Sequence, residues 1–142
     1  MIELDEIQKR ALSNYKFIDL FCGIGGFHLA LSSFGAECVF ACDIDKRAKE
    51  TYKTNFGIEP EGDITKIKNK LIPTHDILCA GFPCQPFSIS GNQEGFKDPR
   101  GKLFFQIIRI ARFHQPKIIL LENVKNCKVH DGGMTLQTIK TD

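Results

Sequence analysis

Short apolar runs alternate with amphipathic segments along this chain, and that order constrains the fold more than any other feature. The runs are Phe17–Phe21, Cys38–Cys42, a weaker one near Ile58–Glu61, Asp76–Ala80 and Lys117–Glu122. Between them lie segments with helical spacing: Gly26 to about Phe34, closed by Gly35; Asp45 to Asn55, closed by Gly57; and Lys102 to Phe113. On the third of these Leu103, Phe104, Ile107, Ile108 and Ala111 are expected to face inward. Strand and helix patterns in alternation predict βα units, hence an α/β fold with a mostly parallel sheet and helices on both faces. The last run is apolar at four consecutive positions, as central parallel strands are. Met134 to Asp142 starts like a helix and then stops.

The 142 residues suffice for one domain with a real core. No apolar run approaches the ~20 residues that span a bilayer. The N-terminal segment is charged and amphipathic and lacks a signal peptide's apolar core, so no membrane role is expected and the cytoplasm is the expected compartment. Nothing marks secretion, so the six cysteines are read as thiols, not a disulfide framework. Cys38, Cys42 and Cys79 lie in apolar runs and are expected in the core, whereas Cys22 and Cys84 sit in turns. No CxxC pair occurs and the four histidines fall at no ligand spacing, so no metal is expected. The net charge of +2 permits a polyanionic partner without demanding one.

Two places carry chemistry. The first is Asp19-Leu20-Phe21-Cys22-Gly23-Ile24-Gly25-Gly26, a strand, a glycine turn and a helix start, where backbone N–H groups and close approach favour a nucleotide. It departs from the dinucleotide G-x-G-x-x-G pattern because position 28 is His. Asp43, twenty residues beyond Gly23, stands where a carboxylate accepts ribose hydroxyls. Asp63, in Gly-Asp-Ile-Thr, would suit an exocyclic amine such as adenine's. A tight turn with solvated aspartates is the alternative.

The second is Phe82-Pro83-Cys84-Gln85-Pro86-Phe87-Ser88, a thiol between two prolines that stiffen its turn. Glu122, at the end of the strand expected beside this one, opens into the same crevice. Nucleophile, carboxylate and nucleoside pocket on one rim make a workable enzyme site. A strand-end charge and an incidental cysteine are the plainer reading. An NAD-type oxidoreductase and a non-catalytic binding module remain as competing functions. A zinc deaminase is excluded because neither H-x-E nor P-C-x-x-C occurs.

In order, Asp-Leu-Phe-Cys-Gly-Ile-Gly-Gly at 19–26, Gly-Asp-Ile-Thr at 62–65, Gly-Phe-Pro-Cys-Gln-Pro-Phe-Ser at 81–88 and Glu-Asn-Val at 122–124 resemble the first blocks of the bacterial DNA cytosine-5 methyltransferases, of the HhaI type. The resemblance runs from about Tyr15 to Gln137. It implies a Rossmann-like S-adenosylmethionine-dependent methyltransferase fold and a place in a restriction-modification system. S-adenosyl-L-methionine would be held by Phe21, Gly23, Ile24, Gly25, Asp43, Ile44, Asp63, Ile64, Gly81 and Leu103. Cys84 would attack C6 of a cytosine flipped out of double-stranded DNA, with Pro83 shaping its turn, Glu122 at N3 and Asn123 fixing the cysteine loop. Gln85, Ser88, Ser90, Gly91, Arg100 and Lys102 would contact DNA from a mobile loop.

Two departures stand out. The family usually carries Glu where this chain has Asp43, one methylene shorter. The family's Gln-x-Arg-x-Arg block, target-recognition domain and C-terminal cofactor-side helix would follow residue 142. Residues 1–142 are therefore expected to be one truncated cofactor-binding and catalytic domain. On its own it is expected to bind DNA poorly, to expose the 118–121 strand as a sheet edge, and to need a second polypeptide or a second copy.

Overall fold

A computed structural model describes residues 5–82 and 102–122 of the chain. The Cys84 turn, the loop that follows it, and the chain from Asn123 onward, with the helix expected after Met134, lie outside the described residues. Among the described residues no helix is long and apolar enough to cross a membrane.

The strands are β1 (Lys16–Leu20), β2 (Glu37–Cys42), β3 (Ile77–Gly81) and β4 (Ile118–Glu122). They form one sheet in the order β2-β1-β3-β4, and every pairing is parallel. The chain steps from β1 outward to β2 and then returns to the other side of β1. This puts a topological switch point between β1 and β3, where open parallel sheets offer a crevice at the strands' carboxyl ends. Helices α1 (Gly26–Ser33), α2 (Lys46–Phe56) and α3 (Lys102–His114) make the connections.

Alternation along the strands divides the core in two, because successive side chains point to opposite faces. Ile18, Leu20, Leu78 and Ala80 pack with Phe104, Ile107 and Ile110 of α3. Phe17, Ile77 and Cys79 pack on the other face with Leu31 of α1. The α3 stripe therefore includes Ile110, fully buried and absent from the expected face, while Leu103, Ile108 and Ala111 are only partly buried. In α1 the inward residues are His28 and Leu31. Leu29 points outward and is 68% exposed, since one residue along a helix rotates the side chain by roughly 100°.

The weak run near Ile58–Glu61 does not form a strand. Glu61 makes one parallel bridge to Cys42, through Glu61 N–H to Ala41 O at 2.8 Å and Asp43 N–H to Glu61 O at 3.0 Å. Pro60 has no N–H to extend this ladder, and the chain turns away at Gly62. The β4 run pairs with β3 but is the outermost strand among the described residues. Ile118, Ile119 and Leu121 are 40%, 46% and 42% exposed.

Helix ends follow local chemistry. Asp45 caps α2 by accepting the N–H groups of Arg47 at 2.8 Å and Ala48 at 3.1 Å, and Gly57 closes it in the left-handed conformation.

One polar cluster lies inside the α1–α2 side of the sheet. Asp19, on β1, is 1% exposed. Its carboxylate faces the His28 N–H and the Tyr52 hydroxyl without a well-formed hydrogen bond. Tyr52 is fully buried and meets the His28 ring nitrogen Nδ1 at 2.7 Å. The His28 ring stacks on Phe56 with centroids 3.9 Å apart. Cys22 sits in the turn, as expected, and is buried there against Ala41 and Tyr52; burial pushes its thiol well up. Cys42 and Cys79 are buried as expected, and Cys38 is half-buried.

Burial raises Asp19 to about 7, with the nearby Asp43 charge adding to it. A carboxyl raised on folding contributes stability below its unfolded value, near 4, and that contribution is lost as pH rises towards 7. His28 and His75 are pushed down by burial, so they act oppositely and weaken the fold as pH falls below about 6.5. Comparing the wild type with Asp19→Asn cancels the histidine contributions. The amide's advantage over the carboxyl should grow by on the order of 1 kcal/mol per pH unit between pH 4 and 7 and then level off. Urea unfolding at pH 5, 6, 7 and 8 measures this; a constant difference would show that Asp19 stays ionised.

Candidate functional site

The carboxyl ends of β1, β2 and β3 enclose a cavity of about 480 Å³, within the size range of small-molecule sites. Phe21 follows β1. Cys42, Asp43 and Ile44 come from the end of β2, Gly62 to Thr65 from the next connection, Gly81 from β3 and Leu103 from the start of α3. Seven of the ten residues expected to hold a cofactor line it: Phe21, Asp43, Ile44, Asp63, Ile64, Gly81 and Leu103. Gly23, Ile24 and Gly25 do not line it but form the turn next to it, and Ile24 is 64% exposed. Cys42, Gly62 and Thr65 are additions. Gly62 and Thr65 flank Asp63 in a motif already visible in the sequence, whereas Cys42 gave no signal beyond its strand.

The turn is held in an unusual shape. Phe21, Gly23 and Gly25 all adopt left-handed backbone, with φ of 55°, 54° and 97°. For phenylalanine that conformation is costly, and such strain concentrates at ligand sites. Two contacts hold the turn against β2: Cys22 N–H to Cys42 O at 3.0 Å and Gly23 N–H to Asp43 Oδ2 at 2.8 Å. The other Asp43 oxygen accepts the Asp45 N–H at 2.9 Å. Asp43 thus has a structural duty that its sequence position did not disclose, besides facing the cavity.

Asp63 caps a single 3-10 turn, Ile64–Lys66. Its Oδ1 accepts the Thr65 N–H at 3.0 Å and the Thr65 hydroxyl at 2.7 Å. These bonds hold the exposed carboxyl below the usual aspartate range, so it faces the cavity as a fixed acceptor. Glu122 stands at the end of β4 beside the cavity's Gly81: the two pair in register, and the Glu122 Oε2 would lie 3.4 Å from a Cβ built on Gly81. Asp43 and Asp63 line the opening, with apolar walls from Phe21, Ile44, Ile64 and Leu103, and Glu122 lies next to it without lining it.

Pro83, Cys84, Gln85, Ser88, Ser90, Gly91, Arg100 and Asn123 lie outside the described residues. Gly81 lines the cavity, and Phe82 after it is buried. Among the described residues no group of three potential metal ligands occurs.

The glycines of the turn differ in what they tolerate. A Cβ on Gly25 would stand 2.1 Å from Phe56 Cε2, while one on Gly23 meets nothing within 4 Å. Gly23→Ala should therefore cost only the left-handed backbone term, about 1–2 kcal/mol. Gly25→Ala must also displace Phe56 from His28 and should cost at least about 3 kcal/mol. Chemical denaturation of the two variants separates these outcomes; equal losses would mean the Phe56 ring yields freely.

The family model for C-5 cytosine-specific DNA methylases matches residues 15–142. The chain is 59% identical over 135 residues to the type II methyltransferase M.HhaI of Haemophilus parahaemolyticus, a match covering 95% of this chain and 41% of that protein. It is 55% identical over 127 residues to the type II methyltransferase M.HpaII of Haemophilus parainfluenzae, covering 88% of this chain and 36% of that one. Among solved structures, the S. pombe Dnmt2 methyltransferase superposes with a TM-score of 0.69 at 29% identity, covering 88% of this chain and 41% of its own. A putative DNA modification methyltransferase encoded within an E. coli prophage gives 0.70 at 26% identity, covering 89% of this chain and 37% of its own. The chain thus spans well under half the length of these relatives.

Proposed function

Because the chain belongs to the C-5 cytosine-specific DNA methylase family, we propose that it is the cofactor-binding and catalytic portion of an S-adenosylmethionine-dependent DNA cytosine-5 methyltransferase of restriction-modification type. The observation that carries this reading is the cavity at the switch point, lined by Asp43 and Asp63, with Glu122 beside its Gly81 edge.

The residues present fit the cofactor. A volume of about 480 Å³ accommodates a nucleoside, and the two aspartates sit on adjoining walls. Asp43 has lone pairs left after its two backbone bonds, and these accept ribose hydroxyls. Asp63, held ionised by Thr65, accepts the exocyclic amine of adenine. Phe21, Ile44, Ile64 and Leu103 cover the base and exclude water. When bound, S-adenosylmethionine supplies an electrophilic methyl group.

The chain's own residues prepare the acceptor. A cytosine inside a duplex hides its ring, so the base must leave the stack to reach the crevice. Cys84, as thiolate, adds its sulfur to C6 of the ring. Glu122 lies against N3 and favours its protonation, so the pair of electrons displaced by the addition does not build up as anionic charge. C5 becomes the nucleophilic carbon that accepts the methyl. Loss of the C5 proton to a base, with solvent available for that role, then expels the sulfur from C6 as thiolate, and N3 gives its proton back to Glu122. A free thiol is mostly protonated at neutral pH, and only the thiolate is the effective nucleophile. Contacts to DNA from Gln85, Ser88, Ser90 and Arg100 belong to the same reading.

The apolar side chains that β4 exposes, Ile118, Ile119 and Leu121, favour a second arm to the same proposal: the chain binds cofactor and grips DNA together with a second polypeptide or a second copy.

The test is to incubate the chain with methyl-labelled S-adenosylmethionine and mixed-sequence duplex DNA, beside Cys84→Ala and Asp43→Ala. Label on cytosine that disappears in Cys84→Ala supports transfer by this chain. Asp43→Ala should weaken cofactor binding at least about tenfold in calorimetry, the loss of one or two charge-assisted hydrogen bonds. Cofactor binding without label supports the second arm. Absence of both binding and label would overturn the reading.

A further inference from the structure

The cavity has two unlike sides. The glycine turn is tied to β2 through backbone bonds, but the segment from Gly62 to Ile72 has no such support. Its regular structure is limited to two single 3-10 turns, Ile64–Lys66 and Asn69–Leu71, and its link to the sheet is the one bridge at Glu61. Yet this segment carries Asp63, Ile64 and Thr65 of the cavity wall.

Ile64 and Ile72 bury it against the sheet and α3, and its polar tie is a side chain from α3. Arg109 donates from Nη2 to the Ile64 carbonyl at 3.2 Å, from Nη1 to Asn69 Oδ1, and from Nε to Gln106 Oε1 at 2.8 Å. All three guanidinium nitrogens are thus engaged, two of them on the 64–69 stretch and one on its own helix. Arg109 is half-buried, and burial pulls its guanidinium below the usual value. A planar fork with fixed donor directions sets position in a way a single ammonium cannot. A second tie from the same helix is weaker: His114 Nε2 to the Asn69 carbonyl at 3.1 Å. The same helix contributes Leu103 to the cavity lining, so Arg109 ties together two of the elements that form it.

We propose that Arg109 is a positioning residue for base selectivity: by clamping the Ile64 carbonyl and Asn69 to α3, it holds Asp63 where it discriminates a purine bearing an exocyclic amine. The inference rests on the cofactor reading above, and it assigns Arg109 no contact with the ligand.

The experiment compares S-adenosylhomocysteine with its deaminated, inosine-base counterpart by calorimetry, with folding followed by circular dichroism. The wild type should prefer the adenine form. In Arg109→Met the affinity for the adenine form should fall about tenfold, close to 1.4 kcal/mol, with that for the deaminated form nearly unchanged. Arg109→Lys should recover part of the preference. Asn69→Ala removes the other end of the clamp without touching charge and should show the same collapse, which keeps the test open should Arg109→Met fold badly. Equal losses for both ligands, or an unchanged preference in folded variants, would overturn the proposal. A wild type that binds neither form would overturn the cofactor reading and this inference with it. A wild type that binds both equally would overturn this inference alone.

Discussion

The 2.8 Å hydrogen bond from the Gly23 N–H to Asp43 is the contact on which the rest of the site depends. Three of the five residues from Phe21 to Gly25 are left-handed, a shape that does not persist without a compensating hold. Asp43 supplies the hold because one carboxylate reaches two backbone donors, Gly23 on the turn and Asp45 at the entrance to α2. It therefore fixes the turn and the helix start with one group. The choice of aspartate over a longer glutamate makes sense in these terms: a short side chain closes on both N–H groups without slack. A ligand hydroxyl then shares oxygens that are already oriented, and binding need not order them first.

Below that contact the fold keeps polar groups where a purely apolar core would be simpler. Asp19, His28 and Tyr52 lie between the sheet and the first two helices, and the ring of Phe56 lies against both His28 and the space beside Gly25. The cluster thus touches the turn from beneath while Asp43 touches it from the side. An ionised Asp19 with no well-formed bond would be expensive, and the rise to about 7 expresses that cost as a retained proton. The core near the turn is consequently close to a titration point at neutral pH, unlike the α3 side of the sheet, where the packed groups are aliphatic and aromatic.

Most of the architecture was legible in the sequence because apolar periodicity and helix ends are local signals. The runs at 17–21, 38–42, 76–80 and 117–122 became strands within a residue or two, and Gly35 and Gly57 closed their helices. Failures came where a residue's partner was remote. Ile58–Glu61 had too little apolar character and a proline, and its single bridge was decided by the end of β2. His28 reads as a polar residue on a helix, and only Tyr52, twenty-four residues on, turns it inward. The apolar β4 run announced membership of the sheet but not its place in the order, because periodicity tells which faces are covered and not by what. At the site, four of the seven expected lining residues, Phe21, Asp63, Ile64 and Gly81, came from motifs at or just past strand ends, where chemistry and position coincide, while Asp43 was read from its spacing to Gly23 and Ile44 and Leu103 from the family resemblance. Arg109 was invisible for the opposite reason. An arginine on an amphipathic helix looks like solvated charge until Ile64 and Asn69, forty and more residues away in the chain, are seen to meet it.

The two sides of the cavity are built by different means, and this division has a consequence for how such a site changes. The turn side is held by backbone: strained dihedrals, a ladder contact and a carboxylate on main-chain N–H groups. Substitution there meets a steric limit, as the 2.1 Å approach of a Gly25 Cβ to Phe56 shows. The opposite side is held by side chains acting on two isolated turns, and these can be exchanged without breaking a strand. In the proposed reading the first side fixes that a nucleoside is bound, a requirement that tolerates little variation. The second would then fix which base edge is read, and its anchoring through α3 would let residues well outside the cavity set that choice.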